Sequence, residues 1–263
     1  MNFDNVFSGL SRAFDRLLPK YMSIEGSRHY RRELLPANLT PGLKVIDVGS
    51  GRYPQISPEV KARLALTVIG LDLSGEELAK APAGAYDQAI AADATTFAGD
   101  GDADLVISHC CFEHLPDTAG GFRALASMLK PGGRAVIYNP SRAALFAKIN
   151  LMIPEGLKRR ALGMLPDGGG HGGWPAVYDR ATPDQFAALA TAAGLEVEAI
   201  HRYWISGYFL PMPPVHILWR AWQAGHRLIA GDEAAESFTT IVRKPACLSH
   251  LPSDAQSQAR VTM

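Results

Sequence analysis

The sequence predicts an α/β protein: a mostly parallel sheet with helices packed against it. Three observations carry that reading. Short β-branched runs alternate with Ala- and Leu-rich stretches along most of the chain, the pattern of βαβ units. The runs KVIDV, TVIGL and DLVIS are almost continuously apolar, as parallel strands buried on both faces must be. With 263 residues, 47% of them hydrophobic and 20% charged, the chain has the composition of one globular domain with a sizeable core, expected over residues 1–245.

The elements follow in order. Residues 1–40 place apolar side chains at helical spacing but interleave Asp4, Arg12, Asp15 and Arg16, so they predict a helical lead-in and not a signal peptide. Strands are expected at LKVIDVG, LTVIGLDL, YDQAIAAD, ADLVISHC and GGRAVIYNP, with helices between them. After YNP the rhythm breaks: 141–180 carries an apolar and basic helical stretch and then PDGGGHGGWP, and it is expected to form an inserted lid over the sheet. Thr182, Pro183 and Gly194 have the order of an N-cap, a first helical position and a C-terminal stop, and a sixth strand follows that helix. A helix from about Val215 to Ile229 leads to a seventh strand, ESFTTIVRKP, and the polar tail 246–263 is expected to be disordered.

Composition excludes several classes of function. The 26 basic and 26 acidic residues cancel, so no global field favours nucleic acid. Three cysteines, two of them adjacent (Cys110 and Cys111), give neither a disulfide framework nor a metal spacing. With no long apolar run, a cytoplasmic location is expected.

In an open parallel sheet, ligands bind beyond the carboxyl ends of the strands. The first strand ends in Asp47 and then Gly49-Ser50-Gly51, where glycines let a ligand approach backbone amides. The second ends at Asp72, 25 residues after Asp47, placed to accept hydrogen bonds from a ribose diol. The third ends in Asp93-Ala94 and the fourth in Ser108-His109. A dinucleotide turn would carry a third glycine where this chain has Pro54, and Pro54 with Pro58 should shorten the following helix.

In these residues the chain resembles the class I S-adenosylmethionine-dependent methyltransferases, in particular the branch acting on small molecules and lipid-like substrates. VIDVGSG is similar to the family's first motif, VIGLDLS to its ribose-binding strand and AADAT to its adenine-binding motif; ADLVISHCCFEHLPD and LKPGGRAVIYNP resemble its fourth and fifth strands. The resemblance implies a Rossmann-like seven-stranded sheet in the order 3-2-1-4-5-7-6 with the last strand antiparallel. It also implies S-adenosyl-L-methionine as cofactor, bound by Asp47, Gly49, Gly51, Asp72, Leu73, Asp93, Ala94, Ser108 and His109. Tyr53-Pro54 departs from the family's small third residue, which concerns the local helix and not the cofactor, since S-adenosylmethionine has no phosphate.

For proton removal the candidates are His109, Glu113, His114 and His171, the last in the glycine-rich insertion. The acceptor expected is a small, hydrophobic or lipid-linked molecule, because 141–180 and 203–227 are rich in apolar and aromatic side chains; the run Lys158-Arg159-Arg160 suits an anionic group or a peripheral membrane contact. Two rivals remain. A nicotinamide-dependent reductase shares the acid at the second strand, but it needs phosphate binding that Pro54 argues against and usually offers a Tyr and Lys pair, whereas this chain has no lysine four residues after Tyr138. A non-catalytic binding protein of the same fold would keep the cofactor residues without turnover.

Overall fold

The computed structural model describes residues 3–153, 175–205 and 209–246. Seven strands form one sheet in the order β3-β2-β1-β4-β5-β7-β6. They are β1 (Lys44–Val48), β2 (Thr67–Asp72), β3 (Gln88–Ala91), β4 (Ala103–His109), β5 (Leu129–Pro140), β6 (Glu196–Tyr203) and β7 (Ser237–Arg243). The first five pair in parallel, and β7 runs antiparallel between β5 and β6. The strand reading and the strand order both hold. Central strands alternate their apolar side chains between two cores, which is why the runs contain so few polar residues.

On one face, Phe112, Phe122, Phe186 and Phe238 meet edge to face, with Phe122 and Phe186 at 5.1 Å and 90°. They join α6 (Thr118–Met128) and α8 (Pro183–Ala192) to the sheet. On the other face the N-terminal segment packs: α1 (Phe3–Asp15), then α2 (Gly26–His29), which continues through a π-helical turn (Tyr30–Leu34) into α3 (Leu35–Ala37). Tyr30 and Leu35 are buried there against Val45, Leu105, Ile107 and Val136.

The helix after β1 is short, as the prolines require. The turn closes with Tyr53 N–H donating to Ser50 O at 2.8 Å, and α4 (Pro58–Arg63) begins only at Pro58, six residues long and capped by the Ser57 hydroxyl at 3.3 Å from Val60 N. After β2 comes α5 (Gly75–Ala79), capped by Ser74.

One cap differs from its expectation. Pro183 and Gly194 take their predicted places, the latter at φ +77°, but Thr182 makes no side-chain hydrogen bond to the helix amides. Glu233, from the turn before β7, accepts the Asp184 N–H at 3.1 Å, and the Thr182 hydroxyl bonds that same carboxylate. A carboxylate from a distant segment serves the helix end better than a neutral hydroxyl, because it also faces the positive end of the helix dipole.

Two further helices flank the sheet's carboxyl edge: α7 (Leu145–Met152), after β5, and α9 (Pro213–Ala230), between β6 and β7. Of the segment read as a lid, 154–174 lies outside the described residues, and with it His171 and Lys158-Arg159-Arg160; so do Tyr208 and the tail from Cys247. Among the described residues no helix is long and apolar enough to cross a membrane.

Candidate functional site

The carboxyl ends of β1, β2 and β4 converge on the glycine turn, and each glycine there has a different reason. Gly49 and Gly51 both have positive φ, +76° and +49°. A Cβ on Gly49 would lie 2.2 Å from Cys111 Sγ, so this glycine is required by the chain crossing from β4. A Cβ on Gly51 would meet Glu77 at 3.1 Å and Asp72 Oδ2 at 3.2 Å, which places the turn's backbone directly over the acid that ends β2. The room that a Cβ would need at Gly49 is filled by the protein's own thiol.

The two acids play separate parts. Asp47 is fully buried, and its carboxylate receives the Ser50 hydroxyl and, at 2.8 Å, the Gln55 N–H. It therefore organises the turn from inside and consumes donors that a pyrophosphate would need. Burial lifts its pKa to about 6, against the two hydrogen bonds. Asp72 is half-buried: Oδ1 accepts Ser74 N–H at 2.9 Å, and the Gly51 amide also reaches the carboxylate. Beside it Leu73 is 56% exposed, an apolar lip next to an acid at the mouth of the sheet.

The turn is braced from its outer side. Arg52 grips both oxygens of Glu77, with Nη2 to Oε1 at 2.6 Å, and that guanidinium holds the Glu77 carboxyl down at about 2. The Tyr86 hydroxyl donates to Gly51 O at 3.0 Å. Neither partner was readable from the sequence, since each lies more than twenty positions from the residue it holds.

Of the remaining predicted cofactor residues, Asp93 is exposed past β3, with Oδ1 accepting from Thr95 N at 2.8 Å and Thr95 Oγ1 at 2.7 Å, and Ala94 packs against the core beside it. Ser108 is buried and its hydroxyl donates to Val48 O at 3.1 Å, tying β4 to β1. His109 sits under the N-terminal segment. Its Nε2 is 2.8 Å from Ser27 Oγ, its ring stacks on Tyr138 at 4.8 Å, and burial lowers its pKa to about 4, so it is neutral at pH 7.

Between these groups lies Cys110, at φ +55°, a left-handed conformation that costs a residue with a Cβ about 1 kcal/mol or more. It turns the chain so that Cys111 faces Gly49 and Glu113 faces inward. Burial pushes both thiols up, Cys110 well above its usual value, which leaves them uncharged packing groups. Glu113 is the residue whose environment sequence did not foretell. It is buried; its N–H donates to Asn139 Oδ1 at 3.0 Å, and its carbonyl accepts Val177 and Tyr178 N–H, each at 2.8 Å. Its carboxyl Oε1 is 3.8 Å from His114 Nε2, Oε2 finds no partner among the described residues, and burial raises the pKa to about 8. His114 Nδ1 in turn is 3.2 Å from Pro175 O.

The fold and the site together define a Rossmann-like α/β protein with a candidate cofactor cradle at the first two strands. Residues 46–137 match the family described as "Methyltransferase domain". A "Ubiquinone biosynthesis O-methyltransferase" of Thiobacillus denitrificans is 32% identical over 169 residues, covering 60% of this chain and 67% of that one. The protein of the same name from Ralstonia nicotianae is 32% identical over 168 residues, and there the match spans 59% of this chain and 63% of the relative. Among solved structures, a methyltransferase from Methanosarcina mazei shares the fold with TM-score 0.52 at 14% identity, covering 81% of this chain and 98% of that one. Phosphoethanolamine N-methyltransferase 2 of Haemonchus contortus gives TM-score 0.52 at 17% identity, over 93% and 60%. The chain belongs to the class I S-adenosylmethionine-dependent methyltransferase family.

Proposed function

We propose that this protein transfers a methyl group from S-adenosylmethionine to a hydroxyl of a small apolar acceptor, of the quinone-precursor kind. The observation that carries it is the cradle at the first turn: Gly51 lies over Asp72, and Leu73 forms an apolar lip beside that acid. An acid for a ribose diol, a turn whose Ser50 hydroxyl and Gln55 amide are committed to Asp47, and an apolar edge for a base suit this cofactor. They do not suit a dinucleotide, and Tyr138, which a reductase would use, is buried. When bound, S-adenosylmethionine supplies a methyl already activated by its sulfonium.

In this reading Asp72 accepts from the ribose hydroxyls, Leu73 and Ala94 flank the base, and Asp93 offers it an acceptor oxygen. The protein's own chemical task is to orient the acceptor and take its proton. Glu113 suits that task better than the histidines. A carboxylate with an ordinary value near 4.3 is a weak base towards a phenol near 10; raised to about 8, it comes much closer. His109 is made a weaker base by burial and already shares Ser27. The role proposed for His171 falls outside the described residues, and His114 positions Glu113. Support for an acceptor of this kind comes from the relatives' names and from an open, mostly apolar surface depression beside α7, lined by Arg142, Ala143, Lys148, Leu151, Met152 and Thr182.

Calorimetry with S-adenosylhomocysteine and with NADH tests the cofactor: only the first should bind. Labelled methyl incorporation from extracts, partitioned between solvent and water, tests the acceptor. Label confined to water-soluble products would remove the apolar acceptor and leave the methyl transfer standing.

A further inference from the structure

Helix α9 is built inside out. Its inward side, turned to α1 and the turn before β7, carries His216, Trp219, Arg220 and Gln223, all buried, whereas every described side chain on its outer side is apolar: Val215, Ile217, Leu218, Ala221, Leu228 and Ile229 among them. Leu218 is 71% exposed, Leu228 89% and Ile229 88%. A soluble helix has the opposite arrangement.

The orientation is enforced. Asp15 of α1 pairs with His216 Nε2 at 3.0 Å and with Arg220 Nε at 3.1 Å. Arg220 also donates to Met22 O at 2.9 Å and to Gln223 Oε1 at 2.7 Å, and Trp219 Nε1 donates to Glu236 at 3.3 Å. Rotating α9 to hide its leucines would separate a buried arginine from its carboxylate, a far larger loss than the apolar exposure. The apolar face is thus held outward by a buried polar lock.

The neighbours extend that face. Arg227 of α9 lies over the Tyr21 ring at 4.7 Å on one flank, and Lys148 of α7 lies over Trp222 at 5.3 Å on the other. These flanks expose further apolar side chains, Leu17 at 81% and Met152 at 82%. Over residues 8–24, 145–153 and 213–230, every charged side chain that reaches solvent is basic: Arg12, Arg16, Lys20, Lys148 and Arg227. The one acid there, Asp15, is buried; Asp232, just past the helix, sits 3.7 Å from Arg227. In a chain of zero net charge this is a local segregation.

We infer that the outer face of α9, with α1 and α7 beside it, docks on an anionic lipid surface, the leucines entering the headgroup boundary and the basic rim meeting the phosphates. A second copy of the chain fits less well, because a two-fold contact would set this mainly cationic rim against its own image.

The full chain is tested by co-sedimentation with phosphatidylcholine vesicles with and without phosphatidylglycerol, in the absence of cofactor and acceptor, so that the result is separate from methyl transfer. Binding is expected on the phosphatidylglycerol vesicles, falling with salt. The pair Leu218→Glu and Leu228→Glu should weaken it by roughly a hundredfold. Arg12→Glu with Arg16→Glu, which leaves the helix face intact, should weaken it and flatten the salt dependence. No binding to anionic vesicles would overturn the inference. So would a dimer in sedimentation velocity that Leu218→Glu converts to monomer, or unchanged vesicle binding by both variants while circular dichroism shows them folded.

Discussion

At the scale of single residues the two acids at the first turn separate into one that builds the turn and one that the proposed function assigns to the cofactor. Asp47 spends its oxygens on Ser50 and Gln55, whereas Asp72 keeps capacity at the open end of β2. Asp72→Ala should therefore leave a folded protein with weakened cofactor affinity: about 1.5–3 kcal/mol for hydrogen bonds to a charged acceptor, roughly 10–150-fold, read by titration with S-adenosylhomocysteine. Unchanged affinity would move the ribose elsewhere. Glu113 is tested by pH. With a carboxyl near 8 as base, the rate should climb through about pH 8, and Glu113→Gln should lower kcat by about 10²–10⁴ and abolish that limb while KM changes little. A variant that kept the limb would assign the proton to another group.

At the scale of elements, what the sequence made legible was local. KVIDV and TVIGL announce buried parallel strands through their own composition, and Pro54 and Pro58 delay α4 through their own rings. What it did not reveal depends on partners far along the chain. Gly49 owes its lack of a side chain to Cys111, Arg52 owes its place to Glu77, and the polar side of α9 is explained only by Asp15. Glu113 looked like one acid among several near a turn; its unusual state comes from the burial that β5 and 175–178 impose. The cap of α8 makes the same point. Since Glu233 and not Thr182 meets the helix amide, Glu233→Ala should cost about 1 kcal/mol in urea unfolding, and Thr182→Ala clearly less. Equal losses would return the cap to Thr182.

At the scale of the whole molecule, the buried acids set how stability responds to pH. Burial raises Asp47 to about 6, Glu236 to about 7 and Glu113 to about 8, all above unfolded values near 4. Between its unfolded and folded values, each group holds a proton in the folded chain that the unfolded chain has released, so stability falls as pH rises through that window. His109 acts the other way: burial lowers it to about 4, the unfolded chain binds the proton between there and about 6.5, and stability rises with pH. His201 and His226 are lowered in the same direction. The trends oppose one another up to about pH 6.5; beyond it these three histidines are neutral in both states and Glu236 and Glu113, the two carboxyls raised furthest, dominate. Acids lowered by ion pairs, such as Asp87 and Asp104, change nothing here, because both their states are ionised. The unfolding free energy should therefore fall between pH 6.5 and 8, by up to about 1.4 kcal/mol per pH unit for each of the two carboxyls. The raised Cys110 and Tyr30 continue the decline at higher pH, where the unfolded thiol and phenol ionise first. Urea titrations at pH 6.5 and 8 measure the slope, and Glu113→Gln should remove its share. A stability that is flat across that interval, or that rises, would mean that Glu113 and Glu236 are already ionised in the folded chain, and a base near pH 8 would go with it.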